Sequence, residues 1–201
     1  MQKGKLIVLY GINNLGKTTQ AKKIVSWLMA SGFQAEYIKY PLYDLEPSGS
    51  YINAIVRKNL WQTISPEEIQ LWYAINRFQY QPELRRKLEK GIMVVAEDYV
   101  GTGIAWGVAE GVNENWLEQL NAPLYPEDVS ILLFGKRFLH AVEKNHFHES
   151  NAKLMDHCHA IHEKLAKDRG WARVAANQPM PVVHQDIVRA IESKLNLKQK
   201  C

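Results

Sequence analysis

Short runs of apolar residues alternate along the chain with longer stretches in which apolar residues recur every three or four positions. Each short run is too brief for a helix and ends at glycine, proline or polar residues, so we interpret these runs as buried strands. The longer stretches have the period of an amphipathic helix. The predicted strands span 6–10, 34–40, 91–96, 129–134 and 171–175, and the predicted helices span 17–31, 51–60, 65–90, 113–120, 136–169 (interrupted near 145–150) and 181–195.

The helix predicted from residue 65 has the clearest start signal. Ser65 is a good N-cap, Pro66 suits the first helical position, and Glu67 and Glu68 follow at the positive end of the helix dipole. Since helices separate the strands throughout, the sheet is predicted to be parallel and covered on both faces. The expected fold is therefore a three-layer α/β domain with a five-stranded parallel sheet.

A glycine-containing loop joins the first predicted strand to the first predicted helix. Gly11-x-x-x-x-Gly16-Lys17-Thr18 matches the P-loop pattern in the context that phosphate binding requires. Backbone N–H groups would surround the β-phosphate, Lys17 would reach the β- and γ-phosphate oxygens, and the Thr18 hydroxyl would ligate Mg²⁺. The sequence thus predicts nucleotide binding by a P-loop NTPase fold. The residues expected to bind the nucleotide cofactor are Gly11, Asn13, Asn14, Leu15, Gly16, Lys17, Thr18 and Thr19.

Two carboxylates follow the strand predicted at 91–96, namely Glu97 and Asp98. Ligands of parallel sheets bind at the carboxyl ends of the strands, so one of these side chains should hold the metal together with Thr18. Because adjacent residues of a strand point to opposite sides, we expect one carboxylate to face the phosphates and the other to face away. The alternative is a pair of solvated acids that cap a loop.

Composition narrows the class of protein. The chain has 201 residues, 46% of them hydrophobic, and a net charge of +4 from 25 Lys and Arg that are spread along it. We expect a single domain over 1–201 that binds small anionic molecules and no nucleic acid. No apolar run approaches the ~18 residues of a membrane span, so no membrane partner is expected. Cys158 and Cys201 do not form a disulfide framework, which favours the cytoplasm.

Beyond the P-loop, the sequence resembles the thymidylate kinases, a family of nucleoside monophosphate kinases. The segment 16–20 reads Gly-Lys-Thr-Thr-Gln, a common end of that family's loop, and 39–41 stands where the family has an Arg-Phe-Pro-like segment. Residues 73–78 are similar to the family's aromatic-to-arginine helix segment. Residues 94–99 correspond to a strand that ends in Asp-Arg-Tyr, and 102–106 to a Ser-x-x-Ala-aromatic segment. The resemblance continues to the last predicted helix and covers nearly the whole chain.

The resemblance implies roles for individual residues. Tyr73 would stack on the acceptor base, and Arg77 would bind the acceptor monophosphate. A planar guanidinium suits two phosphate oxygens, and two residues four apart on a helix face the same way. Without the resemblance, Tyr73 would be interpreted as a core residue and Arg77 as a surface charge. Pro41, Thr102 and Trp106 would line the acceptor pocket.

The resemblance also implies a reaction and an assembly. The expected cofactors are ATP and Mg²⁺, the expected acceptor is dTMP, and Lys17, Arg77, Glu97 and Asp98 would be the catalytic residues. A short lid at roughly 136–150 would bring in Arg137, Lys144 and His146. The helix from residue 65 would form the surface of a homodimer.

Several residues depart from the family pattern. Asn13 stands at a loop position that is usually acidic, and Asn14 stands where some members have a catalytic arginine. Asp98 replaces the arginine of the Asp-Arg pair, and Tyr43 lies near the place of another expected arginine. Residues 144–149 contain one lysine and two histidines where the lid usually has arginines. Since an arginine finger typically contributes about 10³–10⁵ in rate, these losses bear on the rate of transfer.

Two other functions remain compatible with the sequence. A deoxynucleoside kinase would use Glu97 as the base for a 5′-hydroxyl group, although Arg77 argues against that reading. A nucleotide-binding protein with weak or no catalysis is favoured by Asp98. Six of the seven histidines lie between 140 and 162, where Cys158 and His162 could form part of a zinc site. We favour histidines that face solvent on a helix.

Overall fold

The structure is a computed structural model that describes residues 3–57, 64–138 and 152–196. Strands and helices alternate through these residues. In chain order they are β1 (Leu6–Tyr10), α1 (Lys17–Ala30), β2 (Ala35–Lys39), α2 (Ser48–Arg57), α3 (Pro66–Glu89), β3 (Met93–Glu97), α4 (Val100–Ala109), α5 (Glu114–Asn121), β4 (Val129–Phe134), α6 (Ala152–Asp168), β5 (Ala172–Ala175) and α7 (Met180–Leu195).

The five strands form one parallel sheet in the order β2-β3-β1-β4-β5. In register, Leu9 of β1 lies opposite Glu97 of β3, which in turn lies opposite Lys39 of β2. The carboxyl ends of these three strands therefore meet at one edge, where β1 continues into the P-loop. The predicted parallel sheet is confirmed, and its topology places the P-loop beside the end of β3.

Successive residues of β1 belong to the cores on opposite faces of the sheet. Ile7 and Leu9 pack in a cluster with apolar side chains of α1 and α7, whereas Leu6 and Val8 pack in a second cluster with side chains of α3. All of these β1 residues are fully buried. The two-sided burial explains why β1 is apolar at every position, and it confirms the predicted layers of helices on both faces.

The helix start at Ser65 is confirmed, because its side chain accepts a hydrogen bond from the backbone N–H of Glu68 at 3.1 Å. The predicted second helix begins earlier than expected, at Ser48, and the remainder of the prediction falls on residues outside the described ranges. The helix predicted from 136 is wrong for 136–138, which are not helical in the structure. Residues 139–151 lie outside the described part of the chain.

The sequence pattern did not predict α4. Its sequence, VGTGIAWGVA, contains glycine at 101, 103 and 107, which lowers its intrinsic helix propensity. Close packing provides the reason for these glycines. A Cβ atom at Gly101 would lie 2.4 Å from the ring of Trp171, and one at Gly107 would lie 2.7 Å from Leu117. Tertiary contact therefore overrides local propensity in α4.

Cys158 and His162 of α6 are both fully buried, so the expectation that the histidines of this helix face solvent is wrong for His162. The Nδ1 atom of His162 lies 2.9 Å from the Cys158 carbonyl oxygen, one helical turn away. Burial lowers the pKa of His162 to about 3, which keeps the imidazole neutral. Within the described ranges no three His, Cys, Asp or Glu side chains are grouped as a metal site requires, and no helix is long and apolar enough to cross a membrane.

Candidate active site

A cleft of about 490 Å³ lies at the carboxyl edge of the sheet. It is lined at one end by the P-loop and at the other by α3, α4 and the segment after β2. The structure brings most of the predicted site residues together here. Those that line the cleft are Asn13, Asn14, Gly16, Lys17, Thr18, Thr19, Pro41, Tyr73, Arg77, Glu97, Asp98, Thr102 and Trp106.

The P-loop has the backbone of an anion cradle. Gly16 precedes α1 with a φ of 80°, and Asn14 has a φ of 65°. Asn tolerates this left-handed conformation better than most residues, which gives Asn14 a local role that a long cationic side chain would fill less well. The Nζ atom of Lys17 donates to the carbonyl oxygens of Gly11 and Ile12, at 2.7 and 3.0 Å. The ammonium group therefore lies over the loop that would hold the phosphates.

Leu15 differs from the other predicted cofactor-binding residues. Its side chain is buried in the core and only 2% exposed, and among the described residues it does not line the cleft. The apolar side chain anchors the loop to the sheet, which leaves only its backbone N–H to face a phosphate. Gly11 is likewise buried, and a Cβ atom there would lie 2.4 Å from the carbonyl oxygen of Leu133.

Glu97 and Asp98 both face the P-loop, so the prediction that one of them faces away is wrong. The Thr18 hydroxyl donates to the Glu97 carboxylate at 2.7 Å, and the Asp98 carboxylate lies 3.7 Å from Nζ of Lys17. Asp98 has a φ of 61°, which ends the strand and breaks its alternation of side chains. The Thr102 hydroxyl holds the Asp98 carboxylate at 2.8 Å.

Two residues of β2 that the sequence analysis did not identify as site residues contact Glu97. The Tyr37 hydroxyl donates to its carboxylate at 2.7 Å, and Nζ of Lys39 lies 3.2 Å away. Burial opposes ionisation of Glu97, but Lys17, Lys39 and the hydrogen-bond donors outweigh it and hold its pKa below the usual value. Burial raises the pKa of Asp98, to which the charge of Glu97 adds, while Lys17 opposes the rise.

The oxygen atoms at this end of the cleft fit a magnesium ion. Thr18 and Glu97 adjoin each other, and the Asp98 carboxylate lies on the same side of the loop. Mg²⁺ takes hard oxygen ligands and is usually held by one or two carboxylates together with substrate phosphates and water. A hydroxyl group at the start of α1 beside a carboxylate at the end of β3 is the donor set that such an ion needs in a P-loop site.

Tyr73 and Arg77 lie on the same side of α3 and both line the cleft, as their spacing predicts. Arg77 is only 4% exposed, so it is not a surface charge. Its guanidinium donates to the Asn121 side chain at 2.9 Å and to the Tyr99 carbonyl at 3.5 Å. Burial lowers the pKa of Arg77. Anchored in this way, the guanidinium is a pre-positioned cation at the α3 end of the cleft.

Further cleft residues escaped the sequence analysis, among them Gln70, Gly103 and Glu110. Gln70 lies three residues before Tyr73, and Glu110 lies four after Trp106. The helical spacing to a known cleft residue was the signal that could have found both. Burial raises the pKa of Glu110 to about 7.

The structure describes only the first residues of the predicted lid, 136–138. Arg137 follows β4 as a partly buried residue, and the next residue, Phe138, lines the cleft. The backbone N–H of Phe138 donates to the Asn14 carbonyl at 2.8 Å, which ties this segment to the P-loop. Lys144 and His146 lie outside the described residues.

A family model described as thymidylate kinase matches residues 9–187 of the chain, which is most of its length. The chain belongs to the thymidylate kinase family. Human thymidylate kinase is 28% identical over 192 residues, covering 92% of this chain and 89% of the human one. The probable thymidylate kinase of Pyrococcus abyssi is 34% identical over 135 residues, 65% of either chain.

A solved structure of thymidylate kinase from Candida albicans has the same fold. It superimposes with a TM-score of 0.81 at 22% identity, covering 96% of this chain and 93% of that one. The resemblance inferred from the P-loop, the α3 segment and the end of β3 is thereby confirmed. The modest identities fit a divergent member of the thymidylate kinase family, as the departures from the family motifs indicate.

Proposed function

We propose that the protein transfers the γ-phosphoryl group of ATP to dTMP, producing ADP and dTDP. The observation that carries this proposal is a single cleft with a P-loop at one end and the Tyr73–Arg77 face of α3 at the other. Such a cleft can hold a triphosphate donor and a nucleotide acceptor side by side. Membership of the thymidylate kinase family supports dTMP as the acceptor.

The donor end of the cleft would position and neutralise the triphosphate. Backbone N–H groups of the P-loop and Nζ of Lys17 would bind the β- and γ-phosphate oxygens. Thr18, Glu97 and Asp98 would hold Mg²⁺. When bound, the ion would supply positive charge that neutralises the charge developing on the phosphates during transfer. Lys39 holds Glu97 from the other side and keeps it ionised.

The acceptor end would orient the nucleophile. Tyr73 would stack on the base, Arg77 would bind the acceptor monophosphate, and Pro41, Thr102 and Trp106 would enclose the nucleoside. An oxygen of the acceptor phosphate would form the new bond to the γ-phosphorus while the bond to ADP breaks. Catalysis in this scheme comes from positioning and charge neutralisation, and no covalent intermediate with the protein is needed.

The surroundings of Glu97 disfavour the nucleoside kinase alternative. A general base needs a free lone pair and a pKa near the working pH. Glu97 is instead engaged by Thr18, Tyr37 and Lys39, and its pKa is lowered. The second alternative, a nucleotide-binding protein with little catalysis, is favoured by one observation, the carboxylate of Asp98 beside Lys17.

A coupled assay of ADP release tests the three functions together. Wild-type protein is offered ATP and Mg²⁺ with dTMP, dUMP, other monophosphates or thymidine, and Lys17→Met serves as the inactive control. We expect turnover with dTMP and none with thymidine. Turnover with thymidine alone would assign a nucleoside kinase. Tight ATP binding without turnover on any acceptor would leave the non-catalytic function as the correct one.

The assembly and the extent of the functional unit are also proposals. The outward face of α3 carries Leu71 and Ile75, which are 41% and 39% exposed and lie one helical turn apart. Apolar side chains exposed in this way support a homodimer through α3. We further propose that 1–201 acts as one kinase domain with a lid at roughly 136–150. A cytoplasmic location stays a prediction from the cysteine content.

A further inference from the structure

The buried guanidinium of Arg77 is held by neutral groups. Its hydrogen-bond acceptors among the described residues are the Tyr99 carbonyl oxygen and the Asn121 side-chain oxygen, at 3.5 and 2.9 Å. Its Nε atom is buried and has no partner among those residues. A carboxylate in contact would neutralise the guanidinium, whereas a neutral oxygen orients it and leaves its charge for a ligand. The surroundings of Arg77 therefore suit an anionic ligand, and Asn121 makes the shorter of the two contacts.

The orientation of the Asn121 amide is fixed by its own helix. Asn121 is the last residue of α5 and only 5% exposed. Its Nδ2 atom donates to the Leu117 carbonyl oxygen, one helical turn earlier, at 2.8 Å. Because the amide nitrogen is engaged there, the amide oxygen is the atom that faces Nη2 of Arg77. Asn121 thus presents an acceptor to the guanidinium in one defined orientation.

Helix α5 supports Asn121 firmly, although open space adjoins the amide itself. Leu117 is fully buried, and a Cβ atom at Gly107 of α4 would lie 2.7 Å from its side chain, so the two helices pack closely. Asn121 lines a second cavity, of about 350 Å³, together with Val100. Because this cavity adjoins the amide, packing alone does not hold it in place. Its hydrogen bonds to Leu117 and Arg77 do so.

We propose that Asn121 is a positioning residue for Arg77, orienting the guanidinium towards the acceptor monophosphate while leaving its positive charge unneutralised. A Cβ atom at Gly103 would lie 3.1 and 3.2 Å from the two Nη atoms, so Gly103 of α4 and Asn121 of α5 confine the group. A misplacement of about 1 Å can cost about 100-fold in rate, so a residue that fixes Arg77 matters without touching the substrate. This inference rests on the proposed function.

The ratio of the dissociation constants of thymidine and dTMP measures how much the phosphate group adds to binding. Calorimetry determines this ratio for wild type, Asn121→Leu, Arg77→Met and the double variant. Leucine has a similar size but no acceptor, so Asn121→Leu should lower the ratio about 10-fold, as expected for a lost hydrogen bond to a charged group. In the Arg77→Met background the same substitution should leave the ratio unchanged, because Asn121 acts through Arg77. Asn115→Leu, the same change at an exposed position of α5, should keep the wild-type ratio.

Asn121→Asp separates positioning from a purely structural role. Aspartate keeps an acceptor for the guanidinium but adds a negative charge, so the ratio should fall below that of wild type because the charge of Arg77 is partly neutralised. If Asn121 only tied α5 to α3, an aspartate paired with Arg77 would preserve the ratio. Thermal unfolding verifies that each variant is folded at the temperature of the assay. Should Asn121→Leu not fold, Asn121→Asp carries the test alone.

The possible outcomes distinguish this inference from the proposed function. If Asn121→Leu or Asn121→Asp keeps the wild-type ratio, or if Asn121→Leu lowers the ratio equally in the Arg77→Met background, the inference is overturned. The proposed function survives that result when Arg77→Met itself lowers the ratio. If the ratios respond as expected but no ADP forms, the inference stands and the proposed reaction fails. A wild-type ratio near one overturns both.

Discussion

Replacing Glu110 with glutamine should raise the stability of the protein at alkaline pH. Glu110 directly follows α4 at the acceptor end of the cleft, and burial raises the pKa of its carboxyl group to about 7 from the ordinary value of 4.5. Between these two pH values the folded protein holds a proton that the unfolded chain has released. The free energy of unfolding therefore falls as the pH rises from about 4.5 to 7, and the loss is complete above the folded-state pKa.

The pKa difference sets the size of the effect. One pKa unit corresponds to about 1.4 kcal/mol, so a difference of roughly 2.5 units amounts to about 3 kcal/mol above pH 7. By the same relation, the loss in the free energy of unfolding is less than about 1 kcal/mol at pH 5, because Glu110 is still partly protonated in the unfolded chain. Glutamine carries no charge, so the Glu110→Gln variant does not lose this free energy of unfolding as the pH rises. For a chain of this size, about 3 kcal/mol corresponds to roughly 6–12 °C in Tm.

Urea unfolding followed by tryptophan fluorescence at pH 5 and pH 8.5 measures the difference directly. The free energy of unfolding of Glu110→Gln should exceed that of wild type by about 3 kcal/mol at pH 8.5 and by less than about 1 kcal/mol at pH 5. Glu89→Gln, at the exposed end of α3, is the matched control and should stay within about 0.5 kcal/mol of wild type at either pH. A stability difference between Glu110→Gln and wild type that does not change with pH would refute the reasoning.

Three further predictions concern the acceptor end and the assembly. Tyr73→Ala should weaken dTMP binding by about 1–3 kcal/mol in calorimetry, because the base loses its stacking partner, and an unchanged dissociation constant would contradict that role. Gly103→Ala places a methyl group 3.1 Å from the Arg77 guanidinium, so steady-state kinetics should show a higher KM for dTMP with the KM for ATP unchanged. A change in the KM for ATP alone would contradict the role of Arg77 in binding dTMP. Leu71→Glu should convert a dimer to a monomer in analytical ultracentrifugation, and a dimer that persists would place the interface elsewhere.

Local sequence patterns were sufficient for most of the sheet and for the donor end of the site. The strands at 6–10 and 129–134 occur as predicted, because a buried parallel strand is apolar at every position. The P-loop pattern located Lys17 and Thr18, and the strand-end rule located Glu97. Each of these features depends on residues that are adjacent in sequence or on a topology that short connections dictate.

Features that depend on contacts between distant segments were missed. Helix α4 forms in spite of three glycines because Trp171, Leu117 and Gln70 pack against it. Asp98 faces Lys17 because its backbone adopts a left-handed conformation, which no strand periodicity predicts. Arg77 was expected, apart from the family resemblance, to be a surface charge, and only the surrounding side chains show that it is buried.

The sequence by itself determined that this chain is a P-loop kinase of the thymidylate kinase family, because the loop, the strands and the family motifs each consist of residues that are adjacent in sequence. The tertiary structure decided which side chains share the cleft and how they are charged there. It turned Asp98 towards the P-loop, placed Lys39 on Glu97, and buried the Gln70 amide without a hydrogen-bond partner among the described residues. Burial and orientation arise from packing between segments far apart in the chain, so they could be seen only after the chain was folded.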